Sequence, residues 1–188
     1  MVLDAYDITD ADRREPLSGK VIGFFKDRLT QFALGQDYGH DLLRAVMATG
    51  LRTLPDFWTR LTSVQRCSEE PWWPGLVEVV ERTWRIHKGE GLAAEVEPSL
   101  LSEPAEKDVW AVYESMREEI DALAQKREYF QLSQRFAEVL ADPVHRFFDE
   151  VFVNVDEPEV KSNRLTLCSR IHQLYADRVA DLAMIGQT

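Results

Sequence analysis

The chain has few cysteines and no excess of positive charge, and each shortage excludes a class of protein. Its 188 residues carry 22 Lys and Arg against 33 Asp and Glu, a formal net charge of −11. Nucleic-acid-binding domains usually have an excess of Lys and Arg, so such a function here must depend on a local basic surface. The 2 cysteines, Cys67 and Cys168, form no CxxC or CxxH cluster. Their separation argues against a structural zinc site and predicts packed, free thiols in a reducing compartment.

Long apolar runs and an export signal are also missing. No apolar stretch reaches the roughly 18 uncharged residues of a membrane-spanning helix. The N-terminus, MVLDAYDITDADRREP, places acidic residues where a secretory signal needs a basic and then an apolar stretch. With 45% hydrophobic residues, the composition suits one globular domain or two small ones packed together. These features predict a cytoplasmic protein that does not bind a membrane.

Apolar residues recur every three or four positions through most of the chain, and prolines divide it into segments of helical length. No segment shows the sustained alternation of a sheet. The sequence therefore predicts an all-α helical bundle, with a helix break at Pro143. Helices are expected from Leu17 to about Gly35, over Leu42–Met47, over Pro55–Val64, from Pro71 to near Gly89, over Ala105–Lys126, over Arg127–Ala141 and from Pro158 onward.

These segments predict four parts along the chain. Residues 1–16 form an N-terminal extension, and residues 17–89 form an N-terminal helical part. Residues 90–104 lack a clear period and are interpreted as a linker or loop, and residues 105–188 form a C-terminal helical part. Residues 17–188 are expected to pack as one unit.

Motifs of known catalytic centres are scarce. The chain has no GxxxxGK[ST], GxGxxG or GxSxG sequence. The pair His40-Asp41 would suit a metal phosphohydrolase of the HD type, but no histidine precedes it, so a helix-capping role is preferred. His145 and Asp149 are four positions apart, and two ligands alone make a weak metal site. The residues therefore predict a binding or assembly module with no catalytic residue and no metal.

The segment from Pro143 to Ile185 contains a more specific pattern. It contains FFDEVFV at 147–153, an acidic turn at 156–157, NRLTLC at 163–168 and VADLA at 179–183. This run resembles the end of the beta subunit of the bacterial heterotetrameric glycyl-tRNA synthetase. FFKDRLTQFAL at 24–34 and VEVVERTWRIHKG at 77–89 resemble earlier helices of that family. The resemblance extends over nearly the whole chain from about Val21.

The resemblance implies a helical anticodon-binding domain related to the DALR domain of class I synthetases, with residues 105–188 as its DALR-like part. Such a domain supports glycine attachment to tRNA(Gly) and holds no cofactor of its own. In the family, the alpha subunit carries the adenylation site and uses ATP and Mg, within an α2β2 complex. The implied partners are tRNA(Gly), the remainder of the beta subunit and the alpha subunit, with no DNA and no membrane.

Two basic helices agree with this implication. Proteins that bind single-stranded loops hold the phosphates with Lys and Arg and stack the bases on aromatic or Arg planes. The helix that ends near Gly89 has Arg82, Arg85 and Lys88 at three-residue spacing, which places them on one face. The last helix provides the other predicted RNA contacts, which are Lys161, Arg164 and Arg170.

Several of these residues have an alternative, structural interpretation. Arg164 suits a buried partnership with Asp149 or Asp156 at least as well as an RNA contact, and Asn163 could satisfy backbone groups near the acidic turn. Phe147 and Phe148 begin the C-terminal motif, and at least one of them is expected in the core. The motif residues with either a structural or an RNA-facing role are thus Phe147, Phe148, Asp149 and Asn163.

A competing hypothesis assigns no RNA binding to the chain. The acidic surface would then belong to a helical protein-interaction or subunit-assembly module that docks another protein. The tryptophans bear on the choice, because all five lie on helical stripes where core packing is the default. Of the adjacent pair Trp72 and Trp73, at least one is expected to be exposed and able to stack on a base.

Overall fold

A computed structural model describes residues 11–88 and 92–186, with side chains described from residue 23 onward. Within those ranges the chain is built of helices and turns and has no strand, which confirms the all-α class. None of the described helices is long and apolar enough to cross a membrane. The helices are α1 (Ala11–Leu34), α2 (His40–Ala48), α3 (Leu54–Cys67), α4 (Trp73–His87), α5 (Pro104–Gln125), α6 (Tyr129–Glu150) and α7 (Pro158–Ala176), with short 3₁₀ turns at Pro98–Leu100 and Leu182–Met184.

Helix starts follow the local signals in the sequence. Pro55, Pro104 and Pro158 lie in the first turns of α3, α5 and α7, where a missing N–H costs nothing. Thr53 caps α3 by accepting a hydrogen bond from the Asp56 N–H at 3.2 Å. The predicted cap of α2 by His40 and Asp41 is wrong: the cap position is Gly39, which has no side chain to bond, and Asp41 pairs with Arg44 at 2.8 Å.

The predicted helix break at Pro143 is wrong, because α6 continues through it to Glu150. A proline inside a helix removes one backbone hydrogen bond and costs about 3 kcal/mol. Phe136, Leu140, Val144 and Phe147 all lie on one face of α6 and are fully or almost fully buried. Burying each such side chain contributes about 1.5–3 kcal/mol, so the apolar face that spans Pro143 outweighs its cost.

The N-terminal helix starts earlier than predicted. α1 begins at Ala11 instead of Leu17. Residues 1–10 of the predicted extension lie outside the described residues. Gly89, at the predicted end of α4, also lies outside them. Three phenylalanines of α1 are exposed, namely Phe24, Phe25 and Phe32. α1 therefore keeps an apolar surface uncovered in the described chain.

The core centres on α7, which packs against α4 and α5, while α5 and α6 form a helical hairpin. Every residue from Asn163 to Ser169 is buried, so α7 has neighbours around most of its circumference. Cys168 is fully buried in this helix, and burial raises the pKa of its thiol to about 12. The expected packed thiol is confirmed, since such a thiol stays protonated and is a poor nucleophile.

A buried polar network joins α3 to its neighbours, and within it only the pair of Asp56 and Arg60, four positions apart, follows from helical spacing. The Arg60 guanidinium is inaccessible to solvent and donates to Asp56 Oδ2 at 2.9 Å, to the Val46 carbonyl at 3.1 Å and to the Gly50 carbonyl at 2.8 Å. The Tyr129 hydroxyl of α6 donates to the other oxygen of Asp56. Because each charge has a partner, the network is compatible with burial.

Candidate nucleic-acid interface

The three cations predicted on α4 lie along one solvent-facing edge, here called the α4 edge and defined as Arg82, Arg85 and Lys88. Arg82 is partly buried and Arg85 is 70% exposed. Arg82 Nη1 lies 3.3 Å from Glu78 Oε1, and its guanidinium lies 4.6 Å from the centroid of the Phe148 ring. The ring holds the guanidinium in place while its outer N–H groups stay near the surface.

The other two cations of the α4 edge also have partners one turn earlier. Arg85 forms an ion pair with Glu81, and Lys88 Nζ lies 4.5 Å from the centroid of the Trp84 ring. Exposed pairs of this kind contribute about 0–1 kcal/mol each. Exchange of a glutamate for an RNA phosphate would therefore cost little, and the edge is available to an anionic ligand.

His87 lies beside the α4 edge but adds little positive charge near neutral pH. Its ring centroid is 5.6 Å from that of His172, and His172 Nε2 lies 3.1 Å from Asp181 Oδ1. Burial, reinforced by the neighbouring His172, lowers the pKa of His87 below its usual value. The imidazole is therefore mostly neutral at pH 7 and adds little to the positive charge of the α4 edge.

Arg164 is a structural residue. Its side chain is 6% exposed and its Nε forms an ion pair with Glu106 of α5, whose side chain is 0% exposed. Its Nη1 donates to the Phe152 carbonyl at 2.9 Å, which fixes the loop after α6. Because Arg164 is buried, the predicted RNA contact is wrong. Its carboxylate partner is Glu106 and not the predicted Asp149 or Asp156.

Asn163 holds the loop that precedes α5 against α7. Its Oδ1 accepts from the Glu97 N–H at 2.7 Å and its Nδ2 donates to the Glu97 carbonyl at 3.0 Å. One turn later, Thr166 Oγ1 accepts from the Ala93 N–H at 2.9 Å. Asn163 is 2% exposed. Its structural interpretation is confirmed, since its amide satisfies backbone groups, but these groups belong to the loop before α5 and not to the acidic turn.

Replacing Asn163 with Ala is expected to lower the free energy of unfolding by about 1–3 kcal/mol, because both backbone groups of Glu97 lose a partner. Urea denaturation measures this change. The matched control is Gln134→Ala, which removes an exposed amide bonded to Glu138 at 2.8 Å and should leave the midpoint almost unchanged. Equal effects of the two substitutions would contradict the role assigned to Asn163.

The motif phenylalanines divide between the core and its border. Phe147 is 1% exposed, which confirms that at least one of the pair is in the core, while Phe148 is partly buried against Arg82. Asp149 is exposed at the end of α6. Trp72 and Trp73 are both partly buried against the core, so the prediction that at least one of them is exposed is wrong.

The remaining predicted contacts lie on α7. Lys161 is partly buried near the start of the helix. Arg170 is partly buried further along, where its Nη2 donates to the Ala94 carbonyl and its side chain lines a pocket shared with α5. Arg170 and His172 are two residues apart on α7 and so face in different directions, which separates Arg170 from the α4 side of the helix. The predicted cations therefore occupy more than one surface.

Three side chains beside Arg170 were not among the predicted site residues. Trp110, Tyr113 and Arg117 line the same pocket from α5. They occur at positions i, i+3 and i+7, which is the spacing of one helix face, so an aromatic and basic face could have been identified from the sequence.

Comparison with known proteins identifies the family of the chain. Residues 81–180, more than half of the chain, match the model of the DALR anticodon binding domain. The chain belongs to the DALR anticodon binding domain family. The matched residues run from the second half of α4 to the segment after α7, and so include the α4 edge and the Arg170 pocket.

Relatives extend the similarity beyond that domain. The chain is 32% identical over 175 residues to a protein of Anaeromyxobacter dehalogenans (strain 2CP-C) named glycine–tRNA ligase beta subunit. The matched region covers 92% of this chain and 24% of the relative. Proteins with the same name from Delftia acidovorans and Paracidovorax citrulli are 31% and 33% identical, each over 93% of this chain and 25% of the relative. The chain thus spans about a quarter of the length of the curated relatives it matches.

Proposed function

We propose that this chain is a tRNA-binding domain of the glycine–tRNA ligase beta subunit type, which holds the anticodon stem-loop of tRNA(Gly) and supports glycine attachment. The observation that carries the proposal is the exposed α4 edge inside the segment that matches the DALR anticodon binding domain. Three cations three residues apart can follow an RNA backbone, and the glutamate partners of Arg82 and Arg85 are exchangeable. In this proposal the domain has no adenylation site and no cofactor of its own.

The proposal includes the rest of a synthetase as partner. The remainder of a beta subunit would carry this domain, and an alpha subunit would supply the site that uses ATP and Mg, within an α2β2 assembly in the cytoplasm. The exposed phenylalanines of α1 support a protein partner, because Phe25 and Phe32 border an apolar groove of about 830 Å³ together with Leu54. Contiguous exposed apolar surface of this kind is typical of interaction sites.

Removing the α4 edge is expected to reduce the salt dependence of tRNA binding. In the variant Arg82→Ala/Arg85→Ala/Lys88→Ala, the slope of log K against log salt should fall by roughly 0.7 to 0.9 for each lost phosphate contact. Thermal melting should change little, because the ion pairs of Arg82 and Arg85 are solvent-accessible and the ring contacts of Arg82 and Lys88 lie at the border of the core. Fluorescence anisotropy with labelled tRNA(Gly) at several salt concentrations measures the slope.

The matched control is Lys107→Ala/Arg135→Ala/Arg146→Ala, which removes the same charge from the α5–α6 hairpin. Arg135 and Arg146 are exposed and form ion pairs with Glu119 and Asp108, both at 3.1 Å. The control should keep the wild-type slope. A wild-type slope in the α4-edge variant, or an equal fall in the control, would contradict the proposed RNA contact. Absence of tRNA binding at low salt would favour the protein-interaction hypothesis instead.

A further inference from the structure

A polar pocket lies between α5, α7 and the loop that precedes α5. It has a volume of about 400 Å³, within the usual range for a small-ligand site. Arg170 enters it from α7 and Glu95 from the loop, while α5 contributes Trp110, Tyr113, Glu114 and Arg117. The pocket thus combines aromatic rings, guanidinium groups and carboxylates within one cavity.

The aromatic side chains form a ready stacking surface. The rings of Trp110 and Tyr113 are nearly parallel, with 5.4 Å between centroids and 19° between planes. Both residues are partly buried, so their orientation is fixed by packing while part of each ring borders the pocket. Stacking of an RNA base on such a ring contributes about 1–3 kcal/mol.

The two guanidinium groups provide the charge that a phosphate requires. Arg117 is about half exposed and its Nη1 lies 3.5 Å from Glu114 Oε1, a loose pair that an anion can replace. Arg170 is held by its bond to the Ala94 carbonyl. Burial raises the pKa of Tyr113, and the positive charges of Arg170 and Arg117 oppose that rise, as expected if both guanidinium groups lie close to the phenol.

The carboxylates restrict which base the pocket suits. Glu95 and Glu114 are exposed at its rim, and an ionised carboxylate only accepts hydrogen bonds. Cytosine, adenine and guanine each present an exocyclic amino group, whereas uracil presents carbonyl oxygens in those positions. A carboxylate at the rim therefore favours an amino-bearing base over uracil.

We propose that this pocket holds one unstacked nucleotide of the bound RNA, with its base stacked on the pocket-facing ring of the Trp110–Tyr113 pair, a phosphate on Arg117 and Arg170, and a base amino group on Glu114. The inference rests on the proposed tRNA-binding function and adds a base-recognition site to it. The α4 edge would then hold backbone phosphates, while the pocket distinguishes between bases.

The test measures binding of the full chain to two short single-stranded RNA probes, oligocytidylate and oligouridylate. The wild-type protein should bind oligocytidylate more tightly. Glu114→Gln should remove most of this preference, because the amide offers a donor as well as an acceptor to either base. Arg117→Ala should weaken binding of both probes and lower the salt slope by roughly 0.7, the value for one phosphate contact on a single strand.

Both substituted side chains are exposed, so the variants should fold. Trp110→Ala should weaken both probes by about tenfold, in line with the loss of one stacked base, and Trp110→Phe should restore most of that affinity. Arg135→Ala is the matched control for Arg117→Ala, since it also removes an exposed arginine paired with a glutamate, and it should change neither preference nor slope.

The outcomes separate this inference from the function on which it rests. In one outcome, tRNA(Gly) binds the wild-type protein and the α4-edge variant shows the expected fall in salt slope, but the wild-type protein binds the two probes equally. The pocket inference is then overturned and the proposed function stands. The same conclusion follows if Glu114→Gln and Arg117→Ala behave as the wild-type protein does. If tRNA(Gly) does not bind at low salt, the proposed function itself fails.

Discussion

Replacing Arg164 with Ala is expected to lower the free energy of unfolding by about 3–5 kcal/mol, because it leaves a buried carboxylate without its cation. Glu106 has no exposed side-chain surface, and Arg164 is its ion-pair partner. Glu106 Oε2 also accepts from the N–H groups of Ser102 and Glu103, both at 2.8 Å. The Phe152 carbonyl loses its donor in the same variant, which adds to the cost.

Equilibrium denaturation in urea, followed by far-UV circular dichroism, measures the loss. Arg135→Ala is the matched control, because it breaks an exposed pair with Glu119 and should change stability by less than about 1 kcal/mol. Arg164→Ala should lose tRNA binding only in proportion to the unfolded fraction. A stable Arg164→Ala variant with reduced tRNA affinity would show instead that this arginine contacts RNA.

Replacing Phe147 with Ala is also expected to cost about 3–5 kcal/mol, the usual range for deletion of a buried aromatic ring. Phe147 is 1% exposed and its ring packs at 5.2 Å, centroid to centroid, against that of Phe148. The substitution would open a cavity on the apolar face of α6 that extends across Pro143. Because that face offsets the cost of the proline, the end of α6 should lose helix first.

Thermal melting and urea midpoints test this second prediction, with Phe152→Ala as the matched control. Phe152 is 75% exposed and five residues further along, so its truncation removes a ring of the same size without opening a cavity. Phe148→Ala should fall between the two, since that ring is partly buried. An unchanged melting temperature for Phe147→Ala would show that the C-terminal motif is not part of the core.

The helices were predictable because apolar periodicity and capping are local properties. α5 and α7 begin at or next to the residues at which the proline signals place them. α6 was predicted too short because the local cost of Pro143 was weighed without the buried face on both sides of it. That face becomes decisive only when the other helices cover it, which is a tertiary property.

The partners of the candidate site residues were predictable only within one helix. Glu78 and Glu81 lie four positions before Arg82 and Arg85, so these ion pairs follow from helical spacing. The partner of Arg164 is 58 positions away on another helix, and no spacing rule identifies it. The pocket at Arg170 depends likewise on α5 lying beside α7, although the Trp110, Tyr113 and Arg117 face of α5 was readable.

The most direct test of the central claim compares two parts of one tRNA as ligands for the full chain. At low salt, the isolated anticodon stem-loop of tRNA(Gly) should bind nearly as tightly as the whole tRNA, with a steep salt dependence, whereas the acceptor-stem minihelix should bind far more weakly. Equal binding of stem-loop and minihelix, or binding of neither, would contradict a function in holding the anticodon arm.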